Sequence, residues 1–230
     1  MGRVAKTAVV MGLLNRLHLI GDYLHQVLVT DSREILDIFG QFKYQLNMGE
    51  YADAEKLLCE IREKIEKNIF NEQALAMYEY ILLFYTKKIS SEEYVDKMQE
   101  LLRYTVPLQS ASKGKNEFYL TDCEEIPIYH IAIGYKWAGN YDKAYEVLHE
   151  LEMVYAGYAE EKLAESHIGM YEFIMIVVVE LYLYRKEYEK AEELLQQLML
   201  LELKAKRLNT VHQILALLIY KGGTRKCSAE

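Results

Sequence analysis

The feature that most constrains this chain is a ten-residue turn that recurs along it. Gly139-Asn140-Tyr141-Asp142-Lys143-Ala144-Tyr145-Glu146-Val147-Leu148 places a glycine before a helix that opens on polar and aromatic residues. Gly139 is suited to the left-handed backbone that ends a helix, here the compact apolar run Ile131–Ala138. Asn140 or Asp142 is suited to accept the free N–H groups of the helix that follows. Tyr141 is expected to fill the gap between the two helices, and Ala144 to let their backbones approach. The same pattern stands at Gly49–Leu58 and at Lys186–Leu195, and a weaker copy, Ser91–Met98, lacks the alanine. Tyrosines 51, 94, 141 and 188 are thus spaced by 43, 47 and 47 residues. This recurrence predicts an all-α chain built of helix hairpins.

Small and aromatic residues at fixed offsets around a helix–turn–helix resemble a tetratricopeptide unit. The usual period there is about 34 residues, so these repeats carry longer helices or longer connections. The resemblance implies a right-handed superhelix of antiparallel helix hairpins closed by a C-terminal capping helix, since every repeat array needs covered ends.

Composition agrees with a folded helical chain. It has 230 residues, 51% of them hydrophobic and only two of them proline, a length that buries roughly 70–75% of the unfolded surface. The 20 tyrosines suit packing positions between helices. A net charge of -8 argues against direct nucleic-acid binding by this chain. Cys59, Cys123 and Cys227 have neither metal nor disulfide spacing and fit a reducing, cytoplasmic setting. No cofactor or metal is expected. The apolar run after Arg3 and Lys6 is cut short by Asn15-Arg16 and has no cleavage site. No stretch reaches the ~20 apolar residues that span a bilayer, so no membrane partner is expected. Gly2 lacks the Ser or Thr at position six that myristoylation requires.

Taken in order, residues 1–30 read as a helical connector, 31–223 as the repeat domain and 224–230 as a disordered tail. Asp31-Ser32 look like an N-cap, followed by an apolar stripe of Ile35, Leu36, Ile38, Phe39, Phe42 and Leu46 up to Gly49. Its partner runs from about Ala52 to Lys67. The second pair spans about Glu72–Thr86 and Ser91–Tyr104 and is stopped by Pro107. Residues 105–116 form the longest loop, and their Lys113-Gly114-Lys115 lacks the rest of a phosphate-binding pattern. The third pair begins near a capping box at Thr121–Glu124, and Pro127 either kinks its first helix or marks the true start. The fourth pair covers about Ala159–Arg185 and Glu187–Leu203. The run Tyr171–Tyr184 is apolar nearly all round and should be the most buried helix. A last helix over about 204–220, stopped by Gly222-Gly223, is expected to cap the array.

No catalytic pattern stands out. The six histidines form no His-Glu-x-x-His pair, and there is neither a Gly-x-Ser-x-Gly elbow nor a dinucleotide-binding glycine run. Glu124-Glu125 and Glu192-Glu193 are adjacent on helices and do not face each other, so both pairs are expected on solvated faces. The expectation is a binding protein and not an enzyme.

A further set of segments resembles the C-terminal sensor region of Gram-positive regulators that begin with a helix-turn-helix of the phage-repressor type. These are Leu14-Asn15-Arg16-Leu17-His18-Leu19-Ile20-Gly21-Asp22-Tyr23, Asp31-Ser32-Arg33-Glu34 and Tyr104-Thr105-Val106-Pro107-Leu108. The Tyr141 repeat, Ile168-Gly169-Met170-Tyr171-Glu172-Phe173 and Lys206-Arg207-Leu208-Asn209-Thr210-Val211-His212 complete the set. Better-known relatives of that class are quorum-sensing receptors that hold short peptides on the concave face of a tetratricopeptide-like array. The resemblance implies a ligand-binding module for a peptide or protein segment, and a homodimer. It departs in having no room for a helix-turn-helix ahead of Leu13, which implies either a truncated regulator or a stand-alone sensor. A structural protein that self-associates through helix faces, and an enzyme with its site between repeats, are the competing readings.

In a tetratricopeptide unit the first helix of each pair lines the groove. Counting back from the repeat tyrosines assigns to the groove Phe39, Lys43 and Asn47 from the first pair. The third pair contributes Tyr129, Ile133, Lys136 and Trp137, and the fourth Phe173, Ile176, Glu180 and Tyr184. Asparagine can hold a peptide backbone with donor and acceptor at once, and Tyr and Trp give contact area at low entropic cost.

Overall fold

The computed structural model describes residues 27–103, 122–156 and 168–205. These residues form eight α-helices and no strand. They are α1 (Arg33–Met48), α2 (Tyr51–Lys64), α3 (Ile69–Tyr85), α4 (Ser91–Leu102), α5 (Asp122–Trp137), α6 (Tyr141–Ala156), α7 (Ile168–Tyr184) and α8 (Tyr188–Ala205). The connector ahead of Val27, the 105–116 loop with Pro107, Thr121, the terminal helix beyond Ala205, Gly222-Gly223 and the tail lie outside the described residues. The chain divides into two compact units, Met1–Asn140 and Tyr141–Glu230. The helices read from the sequence as the third hairpin therefore fall in different units.

One device ends the first helix of every pair. In α1, Gly49 at φ 78° turns the chain, its N–H reaches Leu46 O at 3.1 Å, and Glu50 N–H reaches Gln45 O at 2.9 Å. Gly139, also at φ 78°, does the same after α5, with Asn140 N–H on Tyr135 O at 2.8 Å. After α3 and α7 the left-handed residue is a lysine, Lys87 at 59° and Lys186 at 60°. Lys88 N–H to Leu83 O (2.8 Å) and Glu187 N–H to Tyr182 O (2.9 Å) complete these two turns. All four are Schellman closures, which satisfy carbonyls that a helix end leaves orphaned.

In the first unit, α1 to α5 pack each on the next, and α3 also meets α5. Ion pairs record the antiparallel sense: Lys64 at the end of α2 reaches Glu34 at the start of α1 (2.6 Å), and Lys88 reaches Glu55 across α2 and α3 (3.1 Å). Ser32, Asn68 and Ser90 cap α1, α3 and α4 through their side chains. Phe39, Phe42 and Tyr78 form an aromatic knot between α1 and α3, with Phe42 edge-on to Tyr78 at 5.0 Å. In the second unit α7 packs on both α6 and α8. Ile174 to Val179 are six consecutive buried residues, so the middle of α7 is covered all round, as its apolar sequence demands.

Pro127 neither starts nor breaks α5, which begins five residues earlier. A proline has no N–H for the carbonyl four residues back, here that of Cys123. The buried Gln73 side chain of α3 supplies a donor, reaching Cys123 O at 3.4 Å and Leu101 O in the last turn of α4 at 3.0 Å. Glu124 and Glu125 are also buried there, at 4% and 1% exposure. Both were expected on a solvated face. Helical spacing places their side chains on different sides of α5, but this turn is buried on both.

The repeat register is corrected at its weak copy. Ala54, Ala144 and Ala191 are each the fourth residue of a second helix and wholly buried. The fourth residue of α4 is Tyr94, also wholly buried. Tyr94 thus replaces the alanine of the other copies, not their tyrosine. The volume is found on α5, where Gly134 faces it: a Cβ there would sit 2.6 Å from Val95 Cγ2 and 3.4 Å from Tyr94 Cδ1.

Candidate functional site

Two of the repeat tyrosines reach beyond their own hairpins to the next one. Tyr51, which opens α2, stacks on Tyr85, which ends the next first helix, α3, with ring centroids 5.9 Å apart and planes within 8°. Tyr141 stacks in the same way on Tyr184 at the end of α7, at 3.7 Å. An aromatic ring at the end of one first helix is therefore covered by the tyrosine that opens the preceding second helix. Tyrosine suits this place because its ring packs while its hydroxyl stays near water.

Trp137 is the exception. It ends α5, and the preceding second helix, α4, opens on Ser91 and not on tyrosine. Trp137 meets Phe84 edge-on, at 5.7 Å and 79°, and is 63% exposed. Phe84 lies flat on Tyr94 at 4.1 Å, and the Tyr94 hydroxyl meets His130 Nδ1 at 2.7 Å in the core. Burial lowers the His130 pKa to about 3 and pushes the Tyr94 phenol well above its ordinary value, so both groups are neutral. The exposed indole thus stands on a buried aromatic and polar support.

In the second unit Tyr184, 60% exposed despite its stack, borders a polar and aromatic cluster. The Arg185 guanidinium lies over the Tyr145 ring at 4.4 Å and pairs with Asp142. The Tyr145 and Tyr182 hydroxyls are 3.3 Å apart, and Lys190 reaches the Tyr182 ring at 5.6 Å and Glu187 at 2.5 Å. Partial burial, then the Tyr145 hydrogen bond, raise the Tyr182 pKa.

The structure sorts the residues assigned to the groove. Lys43, Asn47, Trp137, Phe173 and Tyr184 are exposed, and Tyr129, Lys136 and Glu180 are half-buried. Lys43 stretches over the Phe39 ring at 5.0 Å. Phe39, Ile133 and Ile176 are corrected to core positions, at 5%, 6% and 7% exposure. These three are apolar, and burial of apolar surface holds them in the core whatever face the count assigns. Sequence reading missed Tyr94, His130 and Gly134. A glycine inside a helix opposite an oversized residue was the available signal.

A shallow groove of about 90 Å³ lies between α2 and α3, lined in part by Glu55, Cys59, Arg62, Glu79 and Lys88. The Arg62–Glu79 pair (2.7 Å) and the Lys88–Glu55 pair balance its charge. Among the described residues no three His, Cys, Asp or Glu side chains gather as a metal would need, and no helix is long and apolar enough to cross a membrane. No family model, curated protein or solved structure matches the chain.

Proposed function

We propose that this chain is a regulatory binding module that takes a peptide or protein segment, built as a right-handed tetratricopeptide-like superhelix and serving as the sensor part of a transcriptional regulator. The four identical Schellman closures and the recurring buried alanine support the repeat reading. The observation that carries the binding role is Trp137. A lone indole, mostly in solvent, is held on the buried Phe84–Tyr94–His130 support. A preorganised aromatic loses little entropy when a ligand covers it. Asn47 and Lys43 on α1 supply exposed polar contacts for a peptide backbone and its charges.

The reading is tested with an arrayed library of synthetic hepta- to decapeptides probed with the intact chain. Peptides retained by the array should shift the emission of Trp137, the only tryptophan. Trp137→Ala or Asn47→Ala should weaken them at least tenfold with far-ultraviolet circular dichroism unchanged. Peptides that bind all variants equally and leave the emission unmoved would overturn it.

A further inference from the structure

The chain already holds one non-helical peptide segment in a buried place, and it is its own. Residues 27–30, ahead of α1, are not helical, yet Val27 and Leu28 are buried at 6% and 0% exposure. The wholly buried Asn71, in the first turn of α3, grips the next residue by both main-chain groups. Val29 N–H donates to Asn71 Oδ1 at 2.7 Å, and Asn71 Nδ2 donates to Val29 O at 3.0 Å. The second Nδ2 hydrogen goes to Glu66 O at 2.8 Å, which fixes the amide orientation. From α5, Cys123 Sγ lies 3.8 Å from Val27 O. Thr30 Oγ1 then accepts Ser32 N–H at 3.1 Å, where the strap turns into α1.

This is recognition of backbone and not of sequence. An amide that gives a donor and an acceptor to one residue reads main-chain groups that are free of a helix, while the buried neighbour positions select apolar side chains. Asn71 fixes both main-chain groups of Val29 from one side chain. The strap lies outside the helices and so lacks their repeating hydrogen bonds, and a segment of that kind can open locally without global unfolding.

We propose that residues 27–30 are a releasable internal ligand. The site made by Asn71 beside α5 takes a non-helical apolar peptide segment, and an external segment of the same chemistry competes with the strap for it. This rests on the peptide-binding reading above for its external partner, but names a different site from Trp137.

The probe is a fluorescein-labelled peptide of residues 24–32, Leu-His-Gln-Val-Leu-Val-Thr-Asp-Ser, added to the full chain. Leu28→Asp should expel the strap and raise affinity for the probe at least tenfold over the wild-type chain. Adding Asn71→Leu should remove that gain. A folded Leu28→Asp chain that binds no better than wild type overturns the proposal. So does probe binding that is lost in Trp137→Ala but kept in Asn71→Leu, an outcome that leaves the groove reading standing. Hydrogen exchange on the unmodified chain tests the strap without any variant. The Val29 amide should exchange at least tenfold faster than the amide of Ile81 in the core of α3, and equal rates refute release.

Discussion

Acidification should destabilise this fold through His130, and the size of the effect follows from its surroundings. His130 is 9% exposed and bonded to the Tyr94 hydroxyl, and burial takes its pKa from 6.5 to about 3. The unfolded chain therefore binds a proton between those values while the folded chain does not. The unfolded state holds more protons there, so stability is intact above pH 6.5 and falls as the pH drops toward 3. By pH 5 the imbalance spans one and a half pH units, which corresponds to about 2 kcal/mol. Urea unfolding at pH 7 and at pH 5 measures the change, and His130→Gln is the control. Glutamine still hydrogen-bonds the phenol but does not titrate. All other acids and bases contribute alike to both proteins. The wild-type chain should lose about 2 kcal/mol more than His130→Gln over this range. Equal losses would mean that protonated His130 finds water or a partner in the folded state.

Three further outcomes are expected. Gly134→Ala drives a methyl into Val95 and should cost about 1–3 kcal/mol, seen as a lower midpoint in thermal melts. Ala144→Leu, at a wholly buried place, should cost a similar amount, and an unchanged midpoint would mean that the site yields freely. Lys186→Gly should raise stability by roughly 0.5–1 kcal/mol because lysine at φ 60° is strained, whereas Gly139→Ala should lower it by a like amount.

The helices and their turns were legible because local chemistry sets them. Gly49 and Gly139 announce left-handed helix ends, and the alanine four residues into each second helix announces a close crossing. Lys87 and Lys186 adopt the same left-handed backbone without glycine, since the closing hydrogen bonds outweigh the strain, and nothing in a lysine signals that. The weak copy was misaligned on its tyrosine because a large residue in an alanine place becomes possible only through Gly134, forty residues away in another helix. The buried Glu124 and Glu125, and the Gln73 side chain that relieves the proline, depend equally on which helix ends meet in space. Site residues were hardest to read for one reason. A helical count gives direction but not depth, so it did not separate Trp137, which lacks a covering tyrosine, from Ile133, one turn away in the core.

The contact between Cys123 and Val27 joins residues 96 apart in sequence, whereas most helix packing in the first unit joins neighbours along the chain. On the ribosome this difference becomes a delay. Helices α1 and α2 can pair as soon as both have emerged, but Val27-Leu28-Val29 leaves the tunnel well before Asn71 and long before α5. At roughly 5–20 residues per second, the last wall of its socket arrives some 5–20 seconds later. Through that interval the three apolar residues lack the complete socket that holds them in the fold, which makes them a natural holding point for a chaperone during synthesis.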